Sequence, residues 1–192
     1  GEAAEGQSGV KFLEVVTRTY KRPTLLAANQ ASVAALGDEV RHTILRDEVG
    51  VGVGGAQLML AKFAPLGKYV WVLDDDDECT YPGVVDDLMY LDWLHHTPAA
   101  VIVRMDHGAP LGVLPTAADW QQPPKEAGIG CSAMITRRDV WMRHRLAWES
   151  GRYQSDFDFI ASVYTTWQHS IVWHDVIASR CQRISHGLPE AA

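Results

Sequence analysis

Tyr69-Val70-Trp71-Val72-Leu73 is an unbroken apolar run, rich in β-branched and aromatic residues, that passes directly into Asp74-Asp75-Asp76-Asp77-Glu78. Such a run predicts a strand buried on both faces, with the acids placed where the strand leaves its sheet. Upstream, Phe12 to Thr17 predicts a first strand and Arg18 to Arg22 a basic loop. Pro23 suits the first turn of a helix, where its missing N–H is not needed. Thr24 to Leu36 continues that helix, with Leu25, Leu26, Val33 and Leu36 as its apolar positions, and Gly37 stops it. Val40 to Leu45 predicts a second strand, ended by Arg46-Asp47-Glu48. A glycine-rich turn over Gly50, Gly52, Gly54 and Gly55 leads into a helix from Ala56 to about Ala64, closed by Pro65 and Gly67.

The second half is less periodic. Pro82 to His95 predicts a helix with Val84, Val85, Leu88, Leu91 and Leu94 on its apolar side, and Ala99 to Val103 predicts a strand. Arg104 to Ala127 holds four prolines and Trp120 without a clear period, the pattern of a functional loop, with Trp120 either packing that loop down, the favoured reading, or stacking on an acceptor sugar. Gly128 to Thr136 predicts a strand and Arg137 to Trp141 the start of a helix. Ser155-Asp156 predicts a further helix start, with Phe157, Ile160, Val163 and Tyr164 on one face. Ile171 to Trp173 predicts a last strand, followed by loop or short strand to Gly187. Strands alternating with helices imply an α/β fold, a mostly parallel sheet flanked by helices on both faces. Ligands of such sheets bind beyond the carboxyl ends of the strands, which gathers Thr17 to Arg22, Asp47 and Asp74 to Asp77 onto one rim.

The length, 192 residues, fits one domain. The expected organisation is a single domain over residues 10–187. Gly1 to Gly9 reads as a disordered lead and 188–192 as a tail. A net charge of −7 without a basic block disfavours a nucleic-acid groove. Cys79, Cys131 and Cys181 share no metal-ligand spacing and read as reduced thiols of a cytoplasmic protein. No apolar run reaches the ~18 residues of a membrane span.

The acids carry the candidate chemistry. Carboxylates this close repel one another unless a cation neutralises them, and hard oxygen ligands suit Mg²⁺ or Mn²⁺, which complete their shell with substrate phosphate oxygens. A basic loop beside them would face the phosphates of a metal-bridged diphosphate. Three other readings compete. Gly50-x-Gly52-x-x-Gly55 with Asp74 about 20 residues on matches the dinucleotide fingerprint of nicotinamide or flavin oxidoreductases, although Arg46 to Val49 separate it from its strand. Asp74 and Asp76 have the spacing of haloacid-dehalogenase-like phosphatases, although Asp77-Glu78 depart from that motif. The third is a non-catalytic carbohydrate-binding module.

Over nearly its whole length the chain resembles the GT-A fold glycosyltransferases of the large family 2 type. The resemblance rests on Phe12-Leu-Glu-Val-Val-Thr-Arg-Thr-Tyr-Lys-Arg-Pro23, on Gly54 through Asp77, and on Gly128-Ile-Gly-Cys-Ser-Ala-Met-Ile-Thr-Arg-Arg-Asp-Val-Trp141. It implies a hexosyltransferase that uses a UDP-, GDP- or dTDP-sugar, Mn²⁺ or Mg²⁺, and a hydroxyl acceptor, with inversion, its nucleotide-binding half at 10–98 and its acceptor-binding half at 99–187. Thr17, Arg18, Thr19 and Arg22 would line the nucleotide pocket, with Asp47 at the base. Asp74 and Asp76 would form the Asp-x-Asp motif, Asp74 and Asp75 on the nucleotide side and Asp76 on the metal. The frame Asp75 and Asp77 is the alternative. Asp156 would be the catalytic base, with Asp158 as fallback because Ser155 replaces the family's usual Glu. His186 would complete the metal shell, with His174 second. His107, just after a strand, would face donor sugar or acceptor.

Overall fold

Strand β3 (Tyr69–Val72) is buried residue by residue, and its alternation explains the layering. Val70 and Val72 enter one core while Tyr69, Trp71 and the following Leu73 enter another on the opposite face. The computed structural model, which describes residues 10–152 and 154–182, places β3 in the middle of an eight-stranded sheet. The other strands are β1 (Leu13–Thr19), β2 (Val40–Arg46), β4 (Asp77–Cys79), β5 (Ala100–Asp106), β6 (Val113–Leu114), β7 (Met134–Arg137) and β8 (Ile171–Cys181). The helices are α1 (Pro23–Ala34), α2 (Gly52–Lys62), α3 (Val84–Leu94), α4 (Arg138–His144) and α5 (Ser155–Trp167).

The sheet order is β2-β1-β3-β7-β5-β8-β4, with β6 paired to β5. β1, β2, β3, β5 and β8 run one way; β7 is antiparallel to both β3 and β5, and β4 is antiparallel to β8. One face of the sheet is covered by α2, α4 and α5, through Leu60, Trp141, Phe159 and Ile160. The other is covered by α1 and α3, through Val33, Val85, Leu88 and Leu91. This is the α/β architecture with a mostly parallel sheet that the alternation of strands and helices predicts.

Differences from the sequence reading each have a physical reason. α2 begins at Gly52 rather than Ala56, because the Asp47 carboxylate accepts the amides of Val49, Gly50 and Val51 at 3.1, 2.7 and 2.7 Å and so supports the turn into the helix. β8 is eleven residues long rather than three. Its polar His174 and Asp175 fall in a register shift, where Ile102 faces Trp173 and Arg104 faces Ile177. The segment expected as one strand from Gly128 is a 3₁₀ turn at Cys131–Ala133 followed by β7. β4, formed by the end of the acid run itself, exists only because β8 returns to pair with it. The 104–127 segment is largely irregular, and Trp120 does pack it down. Its ring meets Trp173 edge-on at 5.1 Å and lies under the Arg104 guanidinium at 4.2 Å.

Glu14 is a buried acid in β1, 1% exposed. It is satisfied by the amides of Leu66 and Gly67 at 2.5 and 2.8 Å and by the Thr43 hydroxyl at 2.7 Å, which fixes the chain entering β3. A Cβ at Gly67 would stand 2.7 Å from Glu14 Cβ and 2.8 Å from its backbone N. Gly67→Ala is therefore expected to destabilise the fold by about 1–3 kcal/mol, read as a lowered melting temperature in thermal denaturation.

Candidate functional site

The carboxyl ends of β1, β2, β3, β5 and β8 define one rim of the sheet. Because β7 runs the other way, the turn that precedes it reaches the same rim and adds Gly130, Cys131 and Ser132. There lies a cavity of about 610 Å³, lined among others by Arg18, Thr19, Arg22, Asp74, Asp76 and Asp156.

The acid run forms a tight turn whose carboxylates alternate in environment. Asp74 is gripped at two points by Arg18, Nε to Oδ1 at 2.7 Å and Nη2 to Oδ2 at 2.5 Å. Arg18 in turn donates to Gln57 Oε1 at 2.6 Å and lies 6.0 Å from the centre of the Trp148 ring. Asp75 is fully buried, does not line the cavity and meets Arg22 Nη2 at 2.6 Å. Burial pushes its carboxyl up to about 6, against the opposing pull of Thr19 and Arg22. Asp76 faces the cavity and accepts from Arg22 Nη1 at 3.0 Å. Asp77 accepts from the Ser132 hydroxyl at 2.6 Å; burial first, then the Asp76 and Asp74 charges, push its carboxyl well above the ordinary range. Asn29 Nδ2 clamps the turn's backbone, bonding the carbonyls of Asp74 at 3.0 Å and Asp77 at 2.9 Å. Trp71 Nε1 holds the Ser132 carbonyl at 2.8 Å. The cations neutralising this cluster are thus two arginines. Among the described residues, no three His, Cys, Asp or Glu side chains group so as to hold a metal by themselves.

Asp156 stands in the first turn of α5 and lines the cavity. Its Oδ1 accepts from the Phe157 amide at 2.9 Å. Burial raises its pKa, with the Arg18 charge working against that shift.

Several expected residues lie elsewhere. Thr17 is buried behind β1, bonded to His42 Nε2 at 2.8 Å and Asn29 Oδ1 at 3.2 Å, and does not line the cavity. The two-residue period of β1 sends Arg18 to the cavity side and Thr17 to the opposite face. Asp158 is bound by Arg152, Nε to Oδ2 at 2.7 Å, and by Ser150 at 3.0 Å, which hold its pKa below the usual value and keep it off the cavity. His174 is engaged with Asp87 Oδ2 at 2.7 Å, beside α3 and away from the acid turn. His186 lies outside the described residues. Asp47 lines the cavity, and its carboxylate accepts the Gly50 and Val51 amides just ahead of α2, where the Gly50-x-Gly52-x-x-Gly55 spacing begins.

No protein-family model matches the chain, and no curated protein matches its sequence. Solved structures do match. S. aureus TarS 1–349 in complex with UDP aligns with a TM-score of 0.67 at 13% identity, covering 88% of this chain and 60% of that one. The same fragment in complex with UDP-GlcNAc gives 0.59 at 11% identity, covering 88% and 58%. A glycosyltransferase involved in the glycosylation of the major capsid of PBCV-1 gives 0.58 at 9% identity, covering 91% and 94%. The fold is that of GT-A-like glycosyltransferases. The chain spans about 60% of the length of the TarS fragment.

Within this GT-A-like fold, the sequence reading missed the residues that hold the site together. Asn29 is buried between Leu26 and Val33 in α1, and Gln57 is buried beside Leu60 in α2. A polar residue interrupting an apolar helical stripe was the available signal for both. Ser132 offered none, since its role depends on which loops meet.

Asp75 also generates a pH test. Its carboxyl titrates near 6 in the fold against an ordinary 3.8, so the folded state binds that proton more tightly. The associated stability is full below 3.8 and is lost as pH rises through about 6, on the order of 3 kcal/mol in all. In urea titrations between about pH 4 and pH 7, the stability of wild type relative to Asp75→Asn is expected to fall over that window.

Proposed function

We propose that the protein is a metal-assisted glycosyltransferase. It moves a hexose-type sugar from a nucleoside-diphosphate sugar to an acceptor hydroxyl, with inversion at the anomeric carbon. The observation that carries this reading is the meeting, in one cavity at the strand ends, of Arg18, Asp74 and Asp76 with Asp156 from a different element. The TarS complexes with UDP and UDP-GlcNAc make a uridine donor the first to try, ahead of GDP- and dTDP-sugars.

The donor set fits Mn²⁺ or Mg²⁺. Such ions need only one or two protein carboxylates and take phosphate and water oxygens for the rest. Asp74 and Asp76 both open onto the cavity, 26% and 17% exposed at the side chain, whereas Asp75 is sealed and Asp77, though it lines the cavity, is 5% exposed and committed to Ser132. This supports the frame Asp74 and Asp76, with Asp76 on the metal. When bound, the ion supplies positive charge for the departing diphosphate.

Arg18, Thr19 and Arg22 line the phosphate side, and Asp47 closes the nucleotide end. The acceptor oxygen bonds to the anomeric carbon while the bond from that carbon to the diphosphate oxygen breaks, its electron pair leaving with the diphosphate. The acceptor proton passes to Asp156. The raised pKa of Asp156 strengthens it as a base, and its place in the first turn of α5 favours its ionised form against that shift. Thr17 and Asp75 act from behind, as supports of the strand and the turn.

The reading is tested by thermal shift with UDP-, GDP- and dTDP-sugars, with and without Mn²⁺. One nucleotide should stabilise the protein in a metal-dependent way, by about 2.7 kcal/mol at a hundredfold excess over Kd. A shift with free sugars and none with any nucleotide would instead identify a carbohydrate-binding module.

Asp156→Asn is expected to keep donor and Mn²⁺ binding and to lose about 10²–10⁴ in kcat. Because ionised Asp156 is the active form, wild-type turnover should rise with pH along an acid limb centred above 3.8, and that limb should vanish in the variant.

A further inference from the structure

The cavity changes character across its width. Its β1 and β3 side carries charge, in Arg18, Asp74 and Asp76. Its β5 side is walled by Met105, Leu111, Leu114, Ala127 and Ile129. Met105 and Ile129 are 3% and 5% exposed and form a fixed floor, while Leu111 is 54% exposed at the mouth. The polar groups of this wall are spent internally. Asp106 Oδ1 accepts from the Gly108 amide at 2.8 Å, the His107 amide donates to the Gly112 carbonyl at 2.9 Å, and the Gly112 amide donates to Gly108 at 2.7 Å. Arg104 turns outward to Asp175 and to the Pro115 carbonyl at 2.6 Å.

One polar atom is left over. His107 Nε2 is buried and has no hydrogen-bond partner among the described residues. An unmade bond on a buried polar atom costs about 1–3 kcal/mol, which a ligand hydroxyl would recover. A sugar acceptor would bring several hydroxyls to this wall and leave most of them unpaired at a similar cost each. An apolar body bearing one hydroxyl would bury its surface against the floor at no such cost.

We propose that the acceptor is a hydroxyl carried on an apolar body, aromatic or alkyl, seated against Met105, Leu114 and Ile129 with His107 Nε2 as the polar partner of that wall. The proposal rests on the glycosyltransferase reading of the same cavity. The acceptor oxygen gains the sugar, the diphosphate leaves with the bonding pair, and the hydroxyl proton goes to Asp156.

The test uses the full chain with UDP-glucose, UDP-GlcNAc and their GDP and dTDP counterparts, Mn²⁺, and three acceptors: naphthol, octanol and methyl glucoside. Products are read by mass spectrometry, and acceptor binding by saturation-transfer NMR in the presence of the nucleoside diphosphate. Naphthol or octanol should be glycosylated in preference to methyl glucoside, and the better of the two tells aromatic from alkyl bodies. Leu111→Asp, at an exposed position, should raise the KM for the apolar acceptor about tenfold or more with kcat little changed, and His107→Ala should lower kcat/KM at least as much. Transfer to methyl glucoside alone, or equal binding of naphthol and octanol by wild type and Leu111→Asp, overturns the apolar acceptor and leaves the transferase standing. If no nucleotide shifts the melting temperature, the transferase reading falls. The NMR comparison of wild type with Leu111→Asp, run without nucleotide, then decides the apolar subsite by itself.

Discussion

The structure depends on how a run of acids is kept folded at the end of a buried strand. Left alone, carboxylates at this spacing would drive the turn apart. Two arginines from the β1–α1 segment meet them, Arg18 on Asp74 and Arg22 on Asp75 and Asp76, while Ser132 satisfies Asp77. Asn29 ties down the backbone between them, so the side chains are aimed rather than splayed. The arrangement leaves alternate acids in opposite environments. Asp74 and Asp76 open to the cavity, and Asp75 is buried beneath it.

A second constraint follows from strand direction. β7 is the antiparallel member between β3 and β5, and its reversal brings the Gly130 to Ser132 turn to the rim where the parallel strands end. That turn both braces Asp77 and faces Asp156, since a Cβ at Gly130 would stand 3.8 Å from Asp156 Oδ2. Braced acids and a candidate base therefore share one wall because one strand runs backwards. In the same sheet order β5, which carries part of the apolar wall, is separated by β7 from β3, the strand that leads into the acids.

Much of the site was legible because it is local. The apolar run into the acids named β3 and its rim, the basic loop named Arg18 and Arg22, and a helix start named Asp156. Misplacements arose where a residue's partner is distant. Thr17 turned inward because Asn29 and His42 stand behind it. Asp158 and His174 were claimed by Arg152 and Asp87. The glycine spacing forms the turn into α2, and Asp47 braces that turn through the Gly50 and Val51 amides.

By itself, the sequence determined the alternating strands and helices of the first half, the α/β class and the position of the acid cluster. Hydrophobic period and turn chemistry act within a few residues, so they can be read along the chain. Tertiary structure alone decided which acids face the cavity, the full length of β8, the existence of β4 and the one-sided apolar wall. Those depend on contacts between segments far apart in the chain, such as Glu78 with Arg180 at 102 residues' separation, and a linear pattern carries no record of which distant segments meet.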